Sequence, residues 1–168
     1  PASTTLGLAI AVLAVLAITL FSFRSPQGRR LAAAQVTRSL RVAEQLEAVL
    51  SSVKDAETGQ RGSLLTGEDR YAEPFERAQT RVAMQLDALA RDLEDEQQKL
   101  TLRETRQLAN AKLAELSETI ELRRRGQLDA ALGIVRTDHG KVTMDQLRAS
   151  IGKMQEAERG LLAERDRQ

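Results

Sequence analysis

The stretch over 55–67, DAETGQRGSLLTG, places polar and small residues where a long helical pattern calls for apolar ones. Glu57, Gln60 and Arg61 fall on or beside the apolar stripe set by the preceding residues, between Gly59 and Gly62. Thr66-Gly67 then supplies a helix stop, and Glu68-Asp69 an acidic start for the next helix. The stretch is therefore expected at the far tip of a helical hairpin.

On its N-terminal side, Val36, Leu40, Ala43, Leu46, Leu50, Val53 and Ala56 step by three or four, which predicts one face of a helix over about 29–65. Ser25-Pro26-Gln27-Gly28 predicts a short break before it. Residues 4–23 carry no charge. At about 1.5 Å per residue such a run spans roughly the 30 Å of a bilayer core, so a transmembrane helix is expected there.

A secretory signal would have an apolar core of only about 7–15 residues and a small-residue cleavage site. This run ends instead in Phe21-Ser22-Phe23-Arg24, which favours an uncleaved anchor. Arg24, Arg29 and Arg30 follow the span and would by themselves draw that flank to the cytoplasm, but the rule compares two flanks and only one is in the sequence. Charge alone leaves the orientation open.

On the C-terminal side a second helix is expected over 69–95, with Pro74 tolerated in its first turns and a stripe of Phe75, Ala78, Val82, Leu86, Leu89 and Leu93. The polar run EDEQQK over 94–99 reads as a connection. A third helix over 101–125 carries Leu102, Ala109, Leu113, Leu116 and Ile120 and closes on Arg123-Arg124-Arg125-Gly126, basic residues suited to the negative end of a helix. A short helix over 127–136, a turn at Thr137-Asp138-His139-Gly140 and a last helix over 141–168 complete the pattern.

The composition agrees: 42% hydrophobic but 2% aromatic residues, with no Trp and no Cys, fits long helices and not sheets. Basic and acidic residues number 25 and 24 and are interleaved, so no nucleic-acid partner is expected. With a single His, no Cys and no metal or phosphate motif, no catalytic residue, metal or cofactor is expected, and the chain is not expected to be an enzyme.

Amphipathic segments with modest connections pack well as an antiparallel up-down-up-down four-helix bundle, here over 29–168 and preceded by the one transmembrane helix. The last helix then returns toward the membrane, and its stripe is still helical at Arg165. A second transmembrane span beyond Gln168 is expected, with the bundle between two spans.

The tip stretch, followed by Tyr71-Ala72-Glu73-Pro74-Phe75 and Ala78, resembles the start of the third class of CHASE sensory domain, the cyclase- and histidine-kinase-associated sensory extracellular domains. Later stretches match in the family's order: Arg125 to Ala131, Gly140-Lys141 leading to Met144-Asp145, and Glu158 with Leu161-Leu162 and Arg165. Ser63 stands where the family often carries an aromatic residue. The resemblance implies a sensory bundle on the periplasmic or extracellular side of the bacterial inner membrane. It further implies an output such as a histidine kinase, nucleotide cyclase or diguanylate cyclase beyond Gln168, and settles the orientation against the flanking Arg residues. A displacement of the last helix against the first, with Glu158 and Arg165 as signalling positions, would carry the signal through a parallel homodimer.

For the tip itself, Glu57 and Arg61 at i, i+4 can pair and form a polar layer with Gln60. Such a layer either fixes the register between helices or senses a small molecule or physical stimulus, and the register role stands first. A chemotaxis-type four-helix sensor and a membrane-tethered structural coiled coil share the helical pattern and remain alternatives.

Overall fold

The computed structural model describes residues 2–165; over 2–32 the description is of the backbone, with the side chains of Gly7 and Leu13 only, and at Arg165 of the backbone alone. The chain divides into two compact units, Pro1–Arg38 and Ser39–Gln168. All regular structure among the described residues is helical: α1 (Ala2–Thr66), a 3-10 turn (Asp69–Ala72), α2 (Glu73–Asp92), α3 (Glu96–Arg124), α4 (Leu128–Val135) and α5 (His139–Arg165).

Two expectations fall on the first unit. The break expected at 25–28 is not there, because α1 runs through it as helix. Pro26 removes one amide donor and costs the helix about 3 kcal/mol, but Arg29 to Ala34 are strong helix formers that propagate the helix beyond that loss. The apolar run over 4–23 lies, in its side chains, outside the described residues; among the described residues no helix is long and apolar enough to cross a membrane.

In the second unit, the core face of α1 is Val42, Leu46, Val49, Val53 and Ala56, spaced alternately by four and three as in a coiled-coil seam. This corrects the expected stripe: Leu40 is exposed, and Ala43 and Leu50 stand at the margin of the core. Leu46, Val53 and Ala56 belong to both stripes; Val42 and Val49 take the places of Ala43 and Leu50, since either pair lies three or four residues from Leu46 and burial selects the β-branched one. The buried stripe continues through Gln60 and Ser63, which are buried as fully as the apolar members before them.

A close approach follows at the tip. A side chain on Gly59 would meet the backbone of Phe75 at 3.0 Å and of Tyr71 at 3.1 Å, so the bare Cα lets the 3-10 turn and the start of α2 lie against α1. Pro74 sits in the first turn of α2, where no amide donor is required of it. α2 buries Phe75, Ala78, Val82, Leu86 and Leu89, and the Gln45 amide donates to Asp92 at 2.9 Å at its far end. The α1 and α2 segments are thus antiparallel.

The connection expected over 94–99 is shorter in fact, since α3 begins at Glu96. Asp95 caps it, its carboxylate accepting from the Gln98 backbone N–H at 2.8 Å, and the residues that looked like a polar linker form the first turn. α3 ends in a left-handed Gly126 (φ 77) with the Gln127 amide reaching back to the Leu122 carbonyl at 2.8 Å. α4 packs on the upper part of α3 through the fully buried Ala131. Asp138, at φ 58, reverses the chain into α5, which runs antiparallel along α3.

Candidate functional site

Along α3, four polar residues recur every seven positions: Gln98, Thr105, Lys112 and Thr119, all buried. Seven residues return a side chain to the same face of a seam-packed helix, so these four form a ladder facing the bundle interior. Each rung has a partner on a neighbouring helix. Toward the base, where α3 begins, the Gln98 amide donates to Glu158 of α5 at 2.7 Å, and the Thr105 and Ser150 hydroxyls lie 2.8 Å apart. Toward the tip, the Gln60 amide of α1 donates to the Thr119 hydroxyl at 2.9 Å, and that hydroxyl donates to the Leu116 carbonyl.

The remaining rung, Lys112, is 3% exposed and stands 3.5 Å from Glu57 of α1 and 3.6 Å from Glu115 on its own helix. Charge-assisted N–H···O bonds close to about 2.7–2.9 Å, so both pairs are loose. Arg61 approaches Glu57 at 3.3 Å from the solvent side and is itself 69% exposed. The Glu115 carboxylate lies against Gly140 in the first turn of α5; a Cβ at that glycine would collide with it. The amino end of a helix suits a carboxylate. One buried oxygen of that carboxylate, Oε2, nonetheless has no hydrogen-bond partner.

These groups line a cavity of about 610 Å³ that also takes in Leu64, Leu116, Leu132 and Met144, with Asp138, Lys141 and Arg148 along it. The volume falls in the range of about 300–1,000 Å³ usual for small-molecule pockets. Lys141 and Arg148 are tied to Asp145 at 3.0 and 2.7 Å. The hydrogen bond and charge of Lys141 hold the Asp145 carboxyl below its ordinary range, and the same bond raises the Lys141 ammonium above its own. On the side of α3 that faces α2, Arg124 binds Asp69, Glu76 and Glu121 at once, and those hydrogen bonds raise its pKa. The basic end of α3 thereby ties the 3-10 turn and α2 to α3, beyond any interaction with the helix dipole.

The three residues picked out at the tip share this cavity but not one role. Gln60 lies in the seam, Glu57 at its margin and Arg61 on the rim. Glu158 is buried on Gln98 at the base, far along α3 from the cavity, and the Arg165 side chain lies outside the described residues. Lys112, Glu115 and Thr119 were not anticipated. The seven-residue recurrence of polar residues in α3 marks Lys112 and Thr119 in the sequence; no such pattern marks Glu115. Among the described residues no group of His, Asp and Glu is placed to hold a metal ion.

The arrangement defines an all-helical bundle with a polar ladder in its seam and a side-chain-lined cavity at one end. A family model described as the CHASE3 domain matches residues 32–168, and the chain belongs to that family. The crystal structure of the Rhodopseudomonas palustris histidine kinase HK9 sensor domain is similar, with 28% sequence identity and a TM-score of 0.70, over 74% of this chain and 98% of that one. No curated protein matches the chain. Family and fold together make it a sensory module of a signalling receptor.

Proposed function

We propose that this chain is the periplasmic or extracellular sensory module of a membrane-bound receptor with a histidine kinase or cyclase output. The family match over 32–168 carries the reading, supported by similarity to a histidine kinase sensor domain. The uncharged run over 4–23 is the anchor. A stimulus received at the tip cavity shifts α5 against α3 and α1, and the shift passes across the membrane within a parallel homodimer. The two base rungs, Thr105 on Ser150 and Gln98 on Glu158, allow discrete seatings of α5, since a partial slide would leave buried polar groups unpaired. Glu158 is a signalling position in this scheme through its bond to Gln98, and Arg165 follows it on the same helix.

The absence of Cys allows a direct test of placement. In a full-length receptor cleared of any Cys outside residues 1–168, Thr58→Cys introduces a single thiol at an exposed position near the tip. A membrane-impermeant maleimide should label it in spheroplasts without permeabilisation. Labelling only after permeabilisation would place the bundle in the cytoplasm and defeat the proposal.

A further inference from the structure

We infer that the tip cavity binds an uncharged, largely apolar small molecule, held between α4 and the upper ends of α1, α3 and α5 without an ionic contact. The inference rests on the sensory reading for its purpose and names the class of stimulus, while binding is measurable apart from signalling.

The charges exclude the ionic alternatives. Lys112 stands between Glu57 and Glu115, and Arg61 meets Glu57 from the rim. Lys141 and Arg148 share Asp145. Asp138, the remaining carboxylate of the lining, is exposed to solvent where α4 turns into α5. Counted with Asp145, four cations are thus set against four carboxylates, and the site offers no net charge to an entering ion. A ligand of either sign would have to break a pair already formed, and a buried charge left without its partner is costly.

What lacks a partner in this cavity is apolar surface. α4 reads LDAALGIV and has one polar side chain, Asp129. A helix apolar on more than one side calls for cover on more than one side, yet Ala131 is its one buried residue. Leu132 and Val135 line the cavity instead, and Val135 is 43% exposed. Across from them Leu65, at the end of α1, is 84% exposed, more than any other large apolar residue among those described. Leu116 of α3 and Met144 of α5, both fully buried, form the deep end. Removing the exposed part of this surface from water is favourable, and a molecule inside the cavity does so.

Shape and rim favour a small molecule over a protein face. The surface is concave, its walls come from four helices, and its volume of about 610 Å³ suits a compact ligand. Arg61, Lys141 and Arg148 stand exposed around it. A protein seated over the mouth would have to desolvate these charges, whereas a molecule beneath them leaves them in water. Such a ligand joins α4 to α1, α3 and α5, the last three being the helices whose relative seating is the proposed signal.

The three methionines of the chain supply the test. Met144 lines the cavity, Met84 is exposed on α2 and Met154 is buried toward the base. The full chain, isotopically labelled at the methionine methyls and held in lipid nanodiscs, is titrated by NMR with cyclohexanol, cyclohexanecarboxylate and cyclohexylamine, which share a ring and differ in charge. Cyclohexanol should move the Met144 methyl resonance saturably and leave Met84 and Met154 in place, and both ions should bind about tenfold or more weakly, since each must disturb a pair. Leu132→Trp, which fills the apolar side and leaves every charge where it is, should abolish the shift, with unchanged Met84 and Met154 resonances showing an intact fold. If Met154 moves in that variant, Val135→Trp at the more exposed position decides. The assignment is overturned by an unmoved Met144 up to the solubility limit of cyclohexanol, by an equal shift at Met154, by tighter binding of either ion, or by wild-type binding in a folded Trp variant. Saturable cyclohexanol binding that leaves receptor output unchanged would instead remove the sensory reading and leave the site standing.

Discussion

The two halves of the α3 ladder occupy the same heptad position yet behave differently. At the base, Gln98 and Thr105 meet α5 through hydrogen bonds of 2.7 and 2.8 Å. At the tip, Thr119 is held as firmly, by Gln60 at 2.9 Å, but Lys112 meets its carboxylates only at 3.5 and 3.6 Å, beside a cavity. The cause is what stands opposite. α5 begins at His139, level with Glu115, so Thr119 lies beyond its start, beside the short α4, while Lys112 sits just below that start and turns to Glu57 of α1. A seam closed by four long helices fixes register; a seam capped by a short one leaves room. Register and recognition are thereby separated along one helix.

The largest expected effect breaks the tip half. Lys112→Ala removes the cation from two mostly buried carboxylates, and removing one partner of a buried ion pair costs about 3–5 kcal/mol. Residual solvent access at Glu57 and Glu115 puts the expectation at the lower end of that range, about 3 kcal/mol of unfolding free energy in a urea titration. A loss below about 1 kcal/mol would match an exposed pair and erase the distinction between buried rung and rim.

This rung also marks the limit of what the text of the chain shows. The helices, their antiparallel order and the tip position of 55–67 follow from apolar spacing and from stop and start residues, which act locally. The expected α1 stripe holds at Leu46, Val53 and Ala56 but takes Ala43 and Leu50 in place of Val42 and Val49, because both pairs lie three or four residues from Leu46 and only packing partners choose between them. Gln60 could be located from its own helix. Its partner Thr119, and the pairing of Lys112 with Glu57, depend on α1 and α3 lying side by side in a particular register, which no local pattern encodes. The start of α3 was misread because Asp95 looks like part of a polar linker until its carboxylate is seen on the Gln98 backbone N–H.

A middle-sized effect sharpens the base half. Gln98→Ala withdraws the side-chain donor from the buried Glu158 carboxylate and should cost about 2 kcal/mol, as for other hydrogen bonds to charged groups. Replacing both partners, Gln98→Ala with Glu158→Ala, should cost less than the sum of the singles. Full additivity in that cycle would mean the rung does not couple α3 to α5. The same substitutions in the receptor should alter basal output, because they loosen the seating of α5.

The smallest effect lies at the tip rim, where Lys141, Asp145 and Arg148 are linked in solvent. Hydrogen bonding and charge from Lys141 lower the Asp145 pKa, so whatever stability this carboxylate contributes is present above its unfolded value and fades as pH falls through the folded one. The Lys141 pKa is raised by the same bond, so its contribution is present below the unfolded value and fades as pH rises through the folded one. Stability near neutral pH should therefore be flat with respect to this pair. Carboxyl NMR should find the Asp145 midpoint below that of an unstructured aspartate, moving back toward it in high salt because the pair is fully solvated. An unshifted midpoint at low salt would mean that Lys141 and Arg148 do not hold the Asp145 carboxylate, and the rim would then differ from the base in having no fixed polar pairing at all.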